Sequence, residues 1–182
     1  MATFNVPTRE EVSENNQVIF DNLQKGLGFV PNLYATYAYS ETALGDYLAL
    51  QNRKSTLKAK EREVINLVVS QVNECAYCLA AHTALGKMNG FTDEQILEIR
   101  SGQASFDAKL DALAKFVKDI TINRSKPSQE AVDNFLAAGY DKANLVDTII
   151  VIGDKIISNF IHGTTQVPVD FPAAPALEEA TA

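Results

Sequence analysis

Apolar side chains recur every three or four residues along most of this chain, whereas the alternating apolar and polar runs of β-strands are hard to find. The segment Leu57–Val72 shows the pattern most clearly, because Ile65, Val68 and Val72 share one helical face. Further apolar residues in this segment predict a helix that is almost fully buried. The periodicity therefore predicts an all-α fold of about seven helices.

The length and the apolar content favour one compact domain. The chain has 182 residues, of which 46% are apolar, and this is enough to bury one substantial core without disulfides or metals. No long low-complexity segment marks a domain boundary, so we expect a single domain over residues 1–182. From about residue 167 the chain is rich in Pro and Ala, which predicts an extended C-terminal tail.

The charge distribution argues against nucleic acid and membrane partners. The chain carries 16 basic and 23 acidic residues, a formal charge of −7, and the basic residues form no stripe that could follow a phosphate backbone. The segment Met1–Asn16 lacks the basic and apolar regions of a secretory signal, and no run approaches ~20 apolar residues. We therefore expect a soluble, cytoplasmic protein.

The only two cysteines lie three positions apart, and a histidine follows them. Cys75, Cys78 and His82 occupy positions i, i+3 and i+7 of a predicted helix over residues 74–89, so their side chains share one face. With Asn73 as N-cap, both thiols would lie in the first turn, where free N–H groups and the helix dipole stabilise a thiolate. His82, one turn later, is a candidate base for Cys78.

A carboxylate in the preceding helix completes the candidate site. Glu63 lies 12 residues before Cys75, so in one continuous helix the two would be ~18 Å apart. If the chain reverses near Asn73, the two helices form an antiparallel hairpin in which Glu63 faces His82. A carboxylate beside an imidazole orients the ring and raises its basicity. The predicted relay is Glu63, His82, Cys78 and Cys75.

These residues resemble a known signature. Glu63 followed by the segment Cys75–His82 resembles the E-x11-C-x-x-C-x-x-x-H pattern of the alkylhydroperoxidase D branch of the carboxymuconolactone decarboxylase family. The segments Gly28–Leu33 and Val169–Pro172 look like the peroxidase-related subgroup, so the resemblance covers nearly the whole chain. The resemblance implies a helical fold and homo-oligomers, commonly trimers or hexamers.

The resemblance also implies thiol-dependent reduction of hydroperoxides without a metal or organic cofactor. Cys78 would be the peroxidatic thiol, which becomes a sulfenic acid, and Cys75 the resolving thiol, which closes an intramolecular disulfide. A dithiol or protein reductant would then be a partner, and in alkylhydroperoxidase D it is a lipoylated adaptor. That enzyme has a histidine between the cysteines, where this chain has Tyr77, a possible supporting residue or a subunit contact.

Two other interpretations use the same residues. Cys75, Cys78 and His82, with Glu63 or His162 as a fourth ligand, could form a metal-binding or redox-sensing module, although three helical positions spread over ~10 Å. A cofactor-free decarboxylase or lactone-processing enzyme would use His82 as its base. His162, near a helix end, is interpreted as a structural residue.

One apolar segment exceeds what a single buried stripe requires. It comprises Ile149–Ile152 with Ile156 and Ile157. Burial of this segment between subunits would explain its excess of apolar side chains.

Overall fold

The computed structural model describes residues 4–177, and within that range the chain forms helices and no strands. The helices are α1 (Glu14–Leu27), α2 (Asn32–Tyr37), α3 (Ala43–Asn52), α4 (Ala59–Val72), α5 (Ala76–Met88), α6 (Asp93–Arg100), α7 (Ala108–Ile122), α8 (Gln129–Ala137) and α9 (Lys142–Thr165), preceded by a 3-10 turn at Arg9–Glu11. The predicted all-α class is confirmed. The predicted number of about seven is too low, partly because the short α2 offers little periodicity.

Helix α4 is the centre of the structure. It packs against α5, α6, α7 and α9, and its side chains from Val64 to Ser70 are all buried. Together with α6 to α9 it forms a first apolar core that includes the fully buried residues Leu67 and Phe116. A helix that is apolar on nearly every side can be stable only if neighbours cover each side, and α4 meets that requirement.

A second apolar core lies on α1, α2, α3 and the start of α5. Its buried members include Phe20, Leu44 and Tyr47, and also both cysteines. Because α4 belongs to the first core and Cys75 and Cys78 to the second, the antiparallel α4–α5 hairpin joins the two cores. The predicted hairpin is therefore present, and the candidate site lies where the cores meet.

The ends of the hairpin helices differ from the sequence prediction. Helix α4 begins at Ala59, not at Leu57, because the backbone N–H and hydroxyl of Thr56 donate to Asp147 of α9 instead of capping α4. Helix α5 begins at Ala76, and Cys75, not Asn73, is its N-cap. The side-chain amide of Asn73 donates instead to Asn159 Oδ1 at 2.9 Å.

The C-terminal residues up to 177 have no regular secondary structure, as predicted for the tail, and they pack along the surface. The Asp170 carboxylate accepts a hydrogen bond from the Asn32 backbone N–H at 2.6 Å, and the Arg100 guanidinium donates to the Pro175 carbonyl at 2.7 Å. We call residues 167–177 the C-terminal strap. The predicted tail beyond residue 177 lies outside the described residues.

The apolar segment of α9 is divided between the core and the surface. Val151 and Ile152 are buried in the first core, whereas Ile149, Ile157 and Phe160 are exposed. The contact between subunits that this segment suggested stays a prediction. Within the described residues, no helix is both long and apolar enough to cross a lipid bilayer.

We predict that the Leu67→Ala variant loses about 2–5 kcal/mol of unfolding free energy, because it opens a cavity in the first core beside Gly86 of α5. The matched control is Leu85→Ala, since Leu85 lies on the other helix of the hairpin and is exposed. That variant should change the free energy of unfolding by less than about 1 kcal/mol. Equilibrium urea denaturation measures both. Equal losses in the two variants would contradict the central position of α4.

Candidate active site

A buried hydrogen bond joins the two helices of the hairpin. Glu63 Oε2 of α4 lies 2.8 Å from His82 Nδ1 of α5, and both side chains are buried. The other carboxylate oxygen of Glu63 accepts from the Asn66 side-chain amide at 3.2 Å. The sequence prediction that Glu63 faces His82 is therefore correct as geometry, and Asn66 is a partner that the prediction did not include.

The electrostatics of this pair keep the imidazole neutral, whereas the sequence predicted that Glu63 would raise its basicity. Burial by itself would raise the pKa of Glu63, but the interactions with His82, Lys155 and Asn66 together outweigh it, and the pKa lies below its ordinary value. Burial lowers the pKa of His82, and the nearby Lys155 lowers it further. A carboxylate beside a neutral imidazole holds the proton on Nδ1, so Nε2 keeps its lone pair.

The two cysteines are in direct contact at the start of α5. Cys75 precedes the helix with extended backbone angles, and its sulfur accepts a hydrogen bond from the Cys78 backbone N–H at 3.3 Å. Glu74, with a φ of 53°, turns the chain between α4 and Cys75. Both cysteines are free and buried. The N-cap position places the Cys75 sulfur at the positive end of the helix dipole.

The pKa values of the two thiols are shifted in opposite directions. The interaction with the neighbouring Cys75 thiol lowers the pKa of Cys78 to about 7 against the opposing effect of burial. The same interaction, with burial, raises the pKa of Cys75 well above its ordinary value. A thiol that serves as donor to its neighbour keeps its proton while the neighbour loses one. Cys78 is therefore the more nucleophilic sulfur in this geometry.

Helix α9 contributes three polar residues to the site that sequence reasoning missed. The charge of the Lys155 ammonium lowers the pKa of Cys78, and the polar side chains of Asn159 and Ser158 lower it as well. The Ser158 hydroxyl itself donates to the Lys155 carbonyl at 3.0 Å. All three side chains are buried. A signal was present in the sequence, because Asp154 and Lys155 interrupt an apolar helix. Charged residues in such a helix are rarely buried unless they have a function or a partner.

Tyr77 and His162 have structural environments. The Tyr77 hydroxyl accepts a hydrogen bond from the Leu33 backbone N–H at 3.2 Å, and its ring packs against those of His162 and Phe171. His162 Nε2 lies 3.2 Å from the Val167 carbonyl, to which it donates. Tyr77 therefore packs within its own chain against the C-terminal strap, and its supporting role or subunit contact stays a prediction.

The structure brings together Glu63 and His82, and separately Cys75 and Cys78. In the described residues no hydrogen bond joins His82 to either sulfur, so the direct contact that the helical spacing suggested is not formed. The same residues, 4–177, contain no group of three His, Cys, Asp or Glu side chains placed to hold one metal ion.

Comparison with known proteins relates the site segment to one family. Residues 37–119 match the model of the carboxymuconolactone decarboxylase family, and this range contains all four predicted site residues. The uncharacterized protein YdfG of Bacillus subtilis (strain 168) is 26% identical over 102 residues, which are 55% of this chain and 69% of YdfG. The resemblance found in the sequence is thereby confirmed.

Solved structures share the fold over most of the chain. An uncharacterized peroxidase-related protein from Silicibacter sp. TM1040 superposes with a TM-score of 0.80 at 24% identity, covering 94% of this chain and 91% of that protein. A peroxidase-related protein from Ralstonia eutropha JMP134, described as an alkylhydroperoxidase AhpD core, has a TM-score of 0.79 at 19% identity and 88% coverage of both chains. The debrominase Bmp8 in complex with 2,3,4-tribromopyrrole has a TM-score of 0.76 at 14% identity, with 93% of each chain covered.

We predict that removing the hydrogen-bond donor of Cys75 makes Cys78 a weaker nucleophile near neutrality. In the wild type, alkylation of Cys78 by iodoacetamide should rise with pH through a midpoint near the pKa of about 7. The midpoint should move upward in Cys75→Ala, because the thiolate loses its donor, and less in Cys75→Ser, which keeps a hydroxyl. Peptide mass spectrometry across a pH series measures the rates. Identical midpoints in all three proteins would contradict the assigned asymmetry.

Proposed function

We propose that this chain, which has the carboxymuconolactone decarboxylase family segment at residues 37–119 on an alkylhydroperoxidase D-like fold, is a thiol-dependent hydroperoxide reductase. One observation carries the proposal. The backbone N–H of Cys78 donates to the sulfur of Cys75 at 3.3 Å, and of these two adjacent thiols Cys78 has the lowered pKa while Cys75 keeps its proton. The bonded pair of Glu63 and His82 lies in the same hairpin. This combination supplies a nucleophile, a resolving thiol and a base.

The first step is attack of the Cys78 thiolate on the O–O bond of the hydroperoxide. The S–O bond forms as the O–O bond breaks, the sulfur is oxidised to a sulfenic acid, and the alkoxide leaves as an alcohol after taking one proton. In this proposal His82 carries that proton: the Nε2 lone pair, left open by the bond of Nδ1 to Glu63, takes it from the Cys78 thiol through water before the attack and gives it to the alkoxide afterwards.

The second step closes a disulfide. The Cys75 sulfur attacks the sulfenic sulfur of Cys78, its thiol proton leaves with the hydroxyl, and one water is released. The direct contact of the two residues means that this attack needs little movement of the backbone. A dithiol reductant, supplied as a small molecule or by a protein partner such as a lipoylated adaptor, then returns two electrons and two protons.

The proposal is tested by thiol counting after one equivalent of an alkyl hydroperoxide. We expect the wild type to lose both thiols to an intramolecular disulfide and to consume the peroxide, and Cys78→Ser to do neither. Cys75→Ser should consume one equivalent and accumulate a sulfenic acid, which dimedone traps. Liquid chromatography with mass spectrometry measures each species. If the wild-type thiols stay reduced, or if Cys78→Ser retains turnover while His82→Ala loses it, the metal-binding or decarboxylase interpretation is favoured instead.

We further predict that His82→Gln lowers the rate of peroxide consumption by about 10²–10⁴, the usual range for loss of an acid–base group. Glu63→Gln should lower the rate less, because the imidazole keeps its position but loses its anionic partner. The matched control is Glu61→Gln. Glu61 is a buried carboxylate two residues earlier in α4, and it accepts from the Lys58 backbone N–H outside the site. A rate loss in Glu61→Gln as large as that in Glu63→Gln would point to general damage of α4.

A further inference from the structure

Lys155 is the one lysine among the described residues whose side chain is buried. Its exposed fraction is 3%, and it lies in the middle of the longest helix, α9. The ion pairs found in residues 4–177 do not include it, so no carboxylate oxygen there approaches its ammonium within 4 Å. Burying an ammonium costs several kcal/mol unless charges nearby compensate for the lost water. The compensating charges must therefore be sought in its surroundings.

The register of α9 against α4 shows which residues lie near Lys155. Asp147 of α9 binds Thr56 just before α4, and twelve residues later Asn159 donates to Ser70 Oγ near the end of α4 at 3.4 Å. The two helices therefore run in the same direction. Lys155, four residues before Asn159, lies level with Asn66, which is four residues before Ser70. Asn66 is one turn from Glu63 and donates to it.

The electrostatic effects agree with this register. The Lys155 ammonium lowers the pKa of three groups on the facing helices, which are Glu63, Cys78 and His82. The other charged group nearby on α9 is Asp154, a buried carboxylate that raises the pKa of His82 and of the tyrosines at positions 34, 37 and 47. Within residues 4–177, Lys155 is thus the one buried lysine, and its charge acts on Cys78 and on the Glu63–His82 pair.

We propose that Lys155 is a positioning residue that prepares the nucleophile and the base together, stabilising the Cys78 thiolate while keeping Glu63 ionised and His82 neutral. A fixed positive charge favours the ionised forms of Cys78 and Glu63 and the neutral form of His82. These effects are large in a site of low dielectric constant. Without the ammonium, the thiol would hold its proton more tightly and the imidazole would be protonated more readily. The inference rests on the proposed thiol function, because it assigns a task to the same site.

The test compares Lys155→Met with the wild type. Methionine keeps the length of the side chain and removes the charge, and because the buried carboxylates Glu63 and Asp154 then lose a nearby cation, we expect the variant to be less stable than the wild type. We expect the alkylation midpoint of Cys78 to rise by about one pH unit, so that at pH 6 its alkylation rate falls roughly tenfold. Lys142→Met is the matched control, because it removes the same charge from an exposed position of α9 and should leave the midpoint unchanged.

A second variant separates charge from packing. Lys155→Arg keeps a cation and should retain a midpoint within a few tenths of a unit of the wild type, even if its bulk lowers the melting temperature. The inference is overturned if the folded Lys155→Met protein, checked by circular dichroism, has the wild-type midpoint. If that variant does not fold, a wild-type midpoint in Lys155→Gln overturns the inference, and an upward shift there supports it. If the wild-type midpoint itself is that of an ordinary thiol, the proposed function fails first, and the two failures are thereby distinguished.

Discussion

The hydrogen bond between Glu63 and His82 crosses the α4–α5 hairpin in a buried region. A carboxylate in such a place stays ionised only if donors and cations replace the lost solvent. Here the Glu63 carboxylate is stabilised by the imidazole, the Asn66 amide and the Lys155 ammonium. The packing of α4, α5 and α9 is therefore also an electrostatic arrangement, since each helix supplies one member of the set. If the register of any helix changed, a charge would be left buried without compensation.

The sequence was informative where one rule decides the outcome. Helical periodicity predicted the all-α class, and the spacing of Glu63 and His82 about Asn73 predicted that they would meet. It was less informative where neighbours compete for the same group. Asn73 is a good capping residue, yet it bonds to Asn159 of α9, and the cap is Cys75. Contacts between residues more than 80 positions apart leave no local pattern in the sequence. The replacement of Asn73 by Cys75 as the N-cap of α5 could therefore not be predicted.

Lys155 shows a different limit. A lysine within an apolar helix indicates that the residue has a partner or a function, but the sequence does not show which groups surround it. Its surroundings depend on the register of α9 on α4, which is set by contacts such as that of Asn159 with Ser70. The fold is also shared with the debrominase Bmp8 and with peroxidase-related proteins at low identity. The chemistry of such proteins must therefore be argued from the side chains that each presents in the site.

The contribution of α9 has a consequence for biosynthesis. A ribosome completes the hairpin with both thiols long before it adds Lys155 and Asn159, which lie about 80 residues after the cysteines. Until then the nascent chain has neither the cation nor the amide that lower the pKa of Cys78. The full electrostatic environment of Cys78 is therefore complete only once α9 has folded onto the hairpin.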